Sequence, residues 1–282
     1  MEIKKLTSLI IEPANVCNLR CSFCFVTEGM SRQAGFMELD LFRKVVDDCP
    51  GLEHLCMHNW GEPLLHRDIF KMFDYASRAG IEHIVMNTNG TLLTDDMIDR
   101  IIDSPLSVIR FSIDGLPGTF KRIRGVELDK IEWNILKLKE RKETRRPDLG
   151  MGVVFTVEED TQEDADAYIA YWEKIVDHVR LQPKLIRGPR RDPCPELFGK
   201  AYGQLTVLWD GTVVPCCVDY NGVLALDSAW EESVMDLWRG GAIDQWRARH
   251  LAGDFGAFCA DCNECETRKT QKRFFFESKI SA

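Results

Sequence analysis

The chain reads as an α/β protein, a partial (β/α)6 barrel followed by a small α+β domain. Three observations predict this. Short apolar stretches alternate with longer amphipathic ones through the first two thirds of the 282 residues, the signature of a parallel sheet built from βα units. Polar motifs stand directly after the first four apolar stretches, at the C-terminal strand ends where parallel α/β folds bind ligands. The alternation then stops at Arg187-Gly188-Pro189-Arg190-Arg191-Asp192-Pro193, whose composition is that of a linker, and a cysteine-rich segment follows. Domains over 1–186 and 187–282 are expected.

The strands are expected at 6–12, 53–58, 82–87, 107–113, 150–157 and 178–183. Helical patterns lie between them at 39–48, 67–79, 94–102, 130–143 and 163–176. A cysteine loop follows the first strand, Trp60-Gly61-Glu62-Pro63 the second and Asn87-Thr88-Asn89-Gly90 the third, while Ser112-Ile113-Asp114-Gly115 closes the fourth. A barrel open on one side would gather all four around one cavity. In the second domain, 202–217 alternates as two strands around Asp210-Gly211, a hairpin turn signal. Two helical segments follow at 231–239 and 243–251, and Phe274-Phe275-Phe276 reads as a packed C-terminal segment.

Composition narrows the class of function. An apolar fraction of 45% fits a globular protein, with no apolar run long enough to cross a bilayer and no cleavable signal. The expected location is the cytoplasm, without a membrane partner. Eleven cysteines in clustered spacings, without a secretion signal, favour reduced thiolates on metal over disulfides. A net charge of −9 offers no general attraction to phosphate backbones, so no nucleic-acid partner is expected. The basic run at 141–146 reads as a solvated face.

The most informative motif is Cys17-Asn18-Leu19-Arg20-Cys21-Ser22-Phe23-Cys24. Three thiolates on one tight loop can hold three irons of a [4Fe–4S] cube and leave the fourth open to a ligand. Zinc is the alternative, but it favours four closed ligands in paired spacings, and no fourth ligand lies near.

This CxxxCxxC loop, with Phe23 before its third cysteine, resembles the radical S-adenosylmethionine (SAM) superfamily. The resemblance implies that SAM chelates the open iron. It also implies that Glu62 receives the methionyl amine, although Trp60 replaces the first glycine of the family's GGE motif. Ser112 and Asp114 fall where family members contact ribose hydroxyls or the methionyl carboxylate. Asn89 is a similar candidate, and Phe23 is placed near adenine. Strand 150–157 either covers adenine or is plain core. Taken singly, each polar residue could be an ordinary turn residue; their order behind the cysteine loop joins them.

Downstream, Cys194, Cys216, Cys259 and Cys262 can supply four thiolates to a second [4Fe–4S] cluster, with zinc again the alternative. The arrangement resembles the SPASM/Twitch extension of radical SAM enzymes, with Cys216 as its hairpin cysteine and Cys194 as its first ligand. Cys265 could replace Cys259 as ligand, stay free, or act catalytically as a hydrogen donor. Cys217 is expected to point away from Cys216 as a buried apolar thiol, and Cys49 and Cys56 to be core residues. Arg187, Arg190 and Arg191 are expected at the domain junction, as an anion clamp or a solvated linker.

The resemblance implies an oxygen-sensitive oxidoreductase or epimerase. It would carry two [4Fe–4S] clusters and SAM, and draw electrons from an external one-electron reductant such as flavodoxin or ferredoxin. Few residues precede the cysteine loop, which leaves no room there for a leader-peptide module. A small polar substrate (a sugar, aminosugar or cyclitol) is therefore expected, with a ribosomal peptide as the alternative. A two-cluster electron carrier is a further alternative, though a carrier has no need of a ligand cavity.

Overall fold

The computed structural model describes residues 5–184, 189–190, 192–199 and 204–262. Six strands form in the expected order: β1 (Ser8–Ile11), β2 (His54–Met57), β3 (His83–Thr88), β4 (Val108–Ser112), β5 (Gly150–Val157) and β6 (His178–Pro183). Each pairs in parallel with the next. Between them run α1 (Leu39–Asp47), α2 (Ile69–Arg78), α3 (Asp95–Asp103), α4 (Pro117–Arg124), α5 (Asp129–Arg145) and α6 (Ala165–Trp172).

The helices follow from local chemistry. In α2, Ile69, Met72, Phe73 and Ala76 recur on one helical face and are buried. Helix α3 opens on Thr94, whose hydroxyl accepts from the Met97 amide, with Asp95 and Asp96 in its first turn. Helix α4 was not anticipated. Only Phe120 and Ile123 of its eight residues are buried, too few to write a period. Its punctuation is nevertheless legible, with Pro117 in the first turn and Gly125 as a left-handed cap.

The sheet has two unlike faces. Leu9, Ile11, Leu55, Met57, Ile84, Met86, Ile109, Phe111, Val153, Phe155, Val179 and Leu181 are buried in the core with the helices. The alternate residues on the opposite face include Cys56, Asn87, Arg110, Ser112, Thr156, Arg180 and Gln182, all only half-buried. A parallel sheet covered on both faces would be apolar on both. The polar face is therefore the lumen of the open barrel.

The second part of the chain joins the same sheet. Strand β7 (Gln204–Val207) turns at Asp210-Gly211 into β8 (Thr212–Val214), the expected hairpin. Strand β7 also pairs in parallel with β1, and β9 (Asp227–Ser228) closes a nine-stranded order β6-β5-β4-β3-β2-β1-β7-β8-β9 among the described residues. A buried ion pair fastens this junction. The Glu12 carboxylate accepts from Arg32 at 2.8 Å and from the Trp209 amide at 3.1 Å, while Arg32 also donates to the Tyr220 carbonyl. Helices α7 (Val234–Arg239), α8 (Ala242–Leu251) and α9 (Gly256–Ala260) follow. No helix of the described residues is long and apolar enough to cross a membrane.

Candidate active site

The cysteine loop leaves β1 and is held from several sides. The Cys24 amide donates back to Cys21 and the Ser22 amide to Ile123 at the end of α4. The Leu19 amide and the Asn89 side chain point at the Cys17 sulfur, at 3.4 and 3.8 Å. All three thiols are free. Burial pushes Cys17 upward and Cys21 to about 11, and the charges of neighbouring thiolates add to both shifts. Crowded, half-dry thiols such as Cys17 and Cys21 resist ionising unless a cation compensates them, so this donor set fits an iron–sulfur cluster.

Gly61 carries the next loop against this one. With φ at +92°, it lies so close that a Cβ would stand 2.4 Å from the Ala14 carbonyl oxygen, a contact no side chain tolerates. The Glu62 amide then donates to the Val16 carbonyl at 2.9 Å. The Glu62 carboxylate is buried and accepts three bonds, from the Leu64 amide (3.0 Å), the Thr88 hydroxyl (2.7 Å) and the Asn89 amide (2.7 Å). It therefore ties the end of β3 to the cysteine loop. Burial raises its pKa and these bonds oppose the rise. In Glu62→Gln an amide nitrogen must face one of these donors, so unfolding in urea should lose about 1–3 kcal/mol of stability. A loss below about 0.5 kcal/mol would contradict this reading.

Asn89 bridges to the loop by donating to the Asn18 side chain at 2.9 Å, while its oxygen accepts from Thr91. Ser112 stands half-buried at the end of β4, and Phe23 half-buried on the loop, with the Lys184 ammonium 6.0 Å from its ring centre. Asp114 is engaged inside the protein. Its carboxylate is wholly buried, taking Arg124 at 2.6 Å on one oxygen and the Thr156 amide at 2.8 Å on the other. Its visible work is to hold Arg124, and Arg124 in turn acts on Cys21 and Cys24 electrostatically. Sequence reading missed Arg124; the Arg124-Gly125 helix end was the signal.

The second cysteine set also converges. Cys194 acts electrostatically on Cys216 and on Cys259, and Cys262 on Cys259, whose thiol burial pushes to about 12. The Cys194 amide donates to the His250 ring, and the Cys262 amide to the Cys259 carbonyl. Cys265 lies outside the described residues, as do Arg187 and Arg191. Arg190 is not part of a solvated linker. It is buried, with its guanidinium directed at the Cys259 and Asp192 carbonyls and, at 3.4 Å, the Cys262 sulfur.

Two further expectations need correction. Strand β8 ends at Val214, so strand alternation does not separate Cys216 from Cys217, and their thiols are hydrogen-bonded. Cys56 is not core: it stands on the lumen face and feels the charge of Cys217. Aromatic packing completes the junction. Phe25 stacks on Tyr220 with centroids 4.1 Å apart, and the Trp60 ring nitrogen donates to the Cys217 carbonyl at 3.1 Å. The residue that departs from the GGE motif thus reaches the second cysteine segment.

Residues 11–168 match the sequence profile of the radical SAM superfamily. The chain belongs to the radical SAM superfamily. Residues 194–266 match an iron–sulfur cluster-binding domain of the SPASM type. This radical SAM enzyme is accordingly one with a [4Fe–4S] cluster in the barrel and an auxiliary cluster after it. It is 33% identical over 159 residues to the tungsten-containing aldehyde ferredoxin oxidoreductase cofactor-modifying protein of Pyrococcus furiosus, covering 53% of this chain and 44% of that one. It is 30% identical over 125 residues to the AdoMet-dependent heme synthase of Methanosarcina barkeri, covering 40% and 36%. The matches thus span less than half the length of these relatives.

Among solved structures, BtrN in complex with AdoMet and 2-DOIA shares the fold at 18% identity, covering 93% of this chain and 94% of that one with a TM-score of 0.63. Native anSMEcpe with bound AdoMet and Cp18Cys peptide does so at 16% identity, covering 92% and 89% with a TM-score of 0.66.

Proposed function

We propose that this radical SAM enzyme abstracts hydrogen from a small polar substrate (a sugar, aminosugar or cyclitol) and oxidises or epimerises it. One observation carries the reading: the cysteine loop, Glu62, Asn89 and Ser112 converge at the C-terminal edge of a polar, partly open lumen. When bound, the reduced cluster and SAM supply methionine and a 5′-deoxyadenosyl radical. Cys17, Cys21 and Cys24 hold the first cluster. A carboxylate offers about four acceptor positions; Glu62 uses three internally and directs the remaining one to the methionyl ammonium. Asn89 and Ser112 meet the other polar ends of SAM, with Phe23 beside its adenine, while Asp114 acts through Arg124. Cys194, Cys216, Cys259 and Cys262 hold the auxiliary cluster in a domain beginning at residue 187.

Anaerobic reconstitution, reduction with dithionite and addition of SAM should yield 5′-deoxyadenosine; its absence would overturn the proposal. Glu62→Gln should weaken SAM binding by roughly tenfold or more, the loss of one charge-assisted bond, and unchanged affinity by calorimetry would contradict that role. Cys265 separates the outcomes. If its thiol returns a hydrogen atom to the substrate radical, Cys265→Ser keeps both clusters and SAM cleavage but forms no epimer. An unchanged product excludes the donor role. Loss of the auxiliary cluster would make it a ligand. A peptide substrate is the second reading, supported by the fold shared with the peptide-bound relative.

A further inference from the structure

Arg190 joins the two ends of the second cysteine set from one buried position. Its amide donates to the Ala260 carbonyl at 2.8 Å and its Nε to the Cys259 carbonyl at 3.3 Å, so backbone and side chain both grip the turn from Cys259 to Cys262. Nη1 donates to the Asp192 carbonyl at 3.2 Å, two residues before Cys194. Nη2 reaches the Cys262 sulfur at 3.4 Å. The segment that delivers Cys194 and the turn that carries Cys259 and Cys262 are thereby fixed against each other, and the residue that fixes them is 8% exposed.

The last of these contacts suits a charged acceptor better than a free thiol. A guanidinium keeps its proton and presents a rigid fork of donors. Carbonyl oxygens satisfy such donors well, whereas a neutral thiol sulfur accepts weakly. A thiolate on iron carries negative charge and accepts strongly, so the Nη2 bond gains most of its strength when Cys262 is a cluster ligand. The barrel set is served differently: the donors directed at the Cys17 sulfur are the neutral Leu19 amide and Asn89 side chain. Reduction adds one negative charge to an iron–sulfur cluster, and a cationic donor fixed on one of the ligand sulfurs favours the reduced form. Hydrogen bonds to the sulfurs are among the factors that set such potentials.

We infer that Arg190 is a positioning residue of the auxiliary cluster, whose Nη2 donates to the Cys262 ligand sulfur and holds the reduction potential of that cluster up. This deepens the proposed function and rests on its assignment of Cys262 as a ligand. The bond falls on Cys262, so the role is the same whether Cys259 or Cys265 completes the set. The grip on the Cys259 and Asp192 carbonyls is what keeps the fork aimed, since both acceptors are backbone groups that do not swing away.

The full chain with Cys17, Cys21 and Cys24 replaced by alanine leaves the auxiliary cluster as the source of the paramagnetic signal, and a redox titration followed by electron paramagnetic resonance reads its potential. Arg190→Met in that background should disfavour reduction about tenfold, a downward shift of about 59 mV for a one-electron couple, at unchanged iron content. Arg190→Gln, shorter and uncharged, should shift it the same way and decides the matter where the methionine variant fails to hold iron. An unchanged potential in either iron-loaded variant overturns the role. Arginine labelled isotopically in its guanidinium nitrogens gives a check that needs no substitution at 190. Pulsed resonance of the reduced chain should show the label coupled to the cluster, and its absence overturns the bond to Cys262. If the chain lacking the first three cysteines binds no cluster at all, the proposed second ligand set falls and the role of Arg190 with it. A bound cluster whose potential ignores Arg190 overturns the Arg190 role alone.

Discussion

Replacing Cys17, Cys21 and Cys24 together by alanine should remove about half the iron of the reconstituted enzyme, as expected for two four-iron clusters, and end 5′-deoxyadenosine formation. The three thiols are free and share one loop, and neighbouring thiolates raise the cost of ionising Cys17 and Cys21, which makes them a unit. The triple variant is the clean form of the experiment, because two remaining thiolates could still hold a partial cluster. Iron and sulfide assays with product chromatography read the result. SAM cleavage retained by the triple variant would sink the assignment, as would iron content unchanged from wild type. The complementary loss, with Cys194, Cys216, Cys259 and Cys262 replaced together, should remove the other half of the iron and leave SAM cleavage in place.

Asp114→Ala should cost about 3–5 kcal/mol, the usual consequence of stripping one partner from a buried ion pair. The Asp114 side chain is 1% exposed and that of Arg124 11%, so the substitution leaves a dry, uncompensated guanidinium. It also frees the Thr156 amide that Asp114 accepts from. Arg124→Met in the same chain should recover much of the loss, since an apolar side chain of similar volume needs no counter-charge. Denaturant unfolding of the apoprotein under reducing conditions measures both. If Asp114→Ala costs less than about 1 kcal/mol, Asp114 is not the anchor of Arg124.

The alternation of apolar strands and amphipathic helices was legible because each barrel element buries one face, and burial writes its period into the chain. The motif loops were legible for a related reason. Turns after parallel strands need particular residues, and the ligand edge collects them in order. Helix α4 left too short an apolar pattern to read, and with it Arg124 went unseen. Cys217 was misjudged because strand periodicity was carried past the true end of β8.

By itself, the sequence determined the class of chemistry: the spacing of Cys17, Cys21 and Cys24 and the order of the loops behind them state a local donor geometry that few residues of chain suffice to build. What each buried polar group does was decided only by tertiary structure. Glu62 meets Thr88 and Asn89 from 26 and 27 residues away, Asp114 meets Thr156 from 42, and Arg190 meets Cys262 from 72. The parallel pairing of β7 with β1 spans nearly 200 residues. Local spacing constrains what a loop can bind, but a hydrogen bond or a charge pair is set by distance in space, and that exists only once the sheet has closed around its lumen.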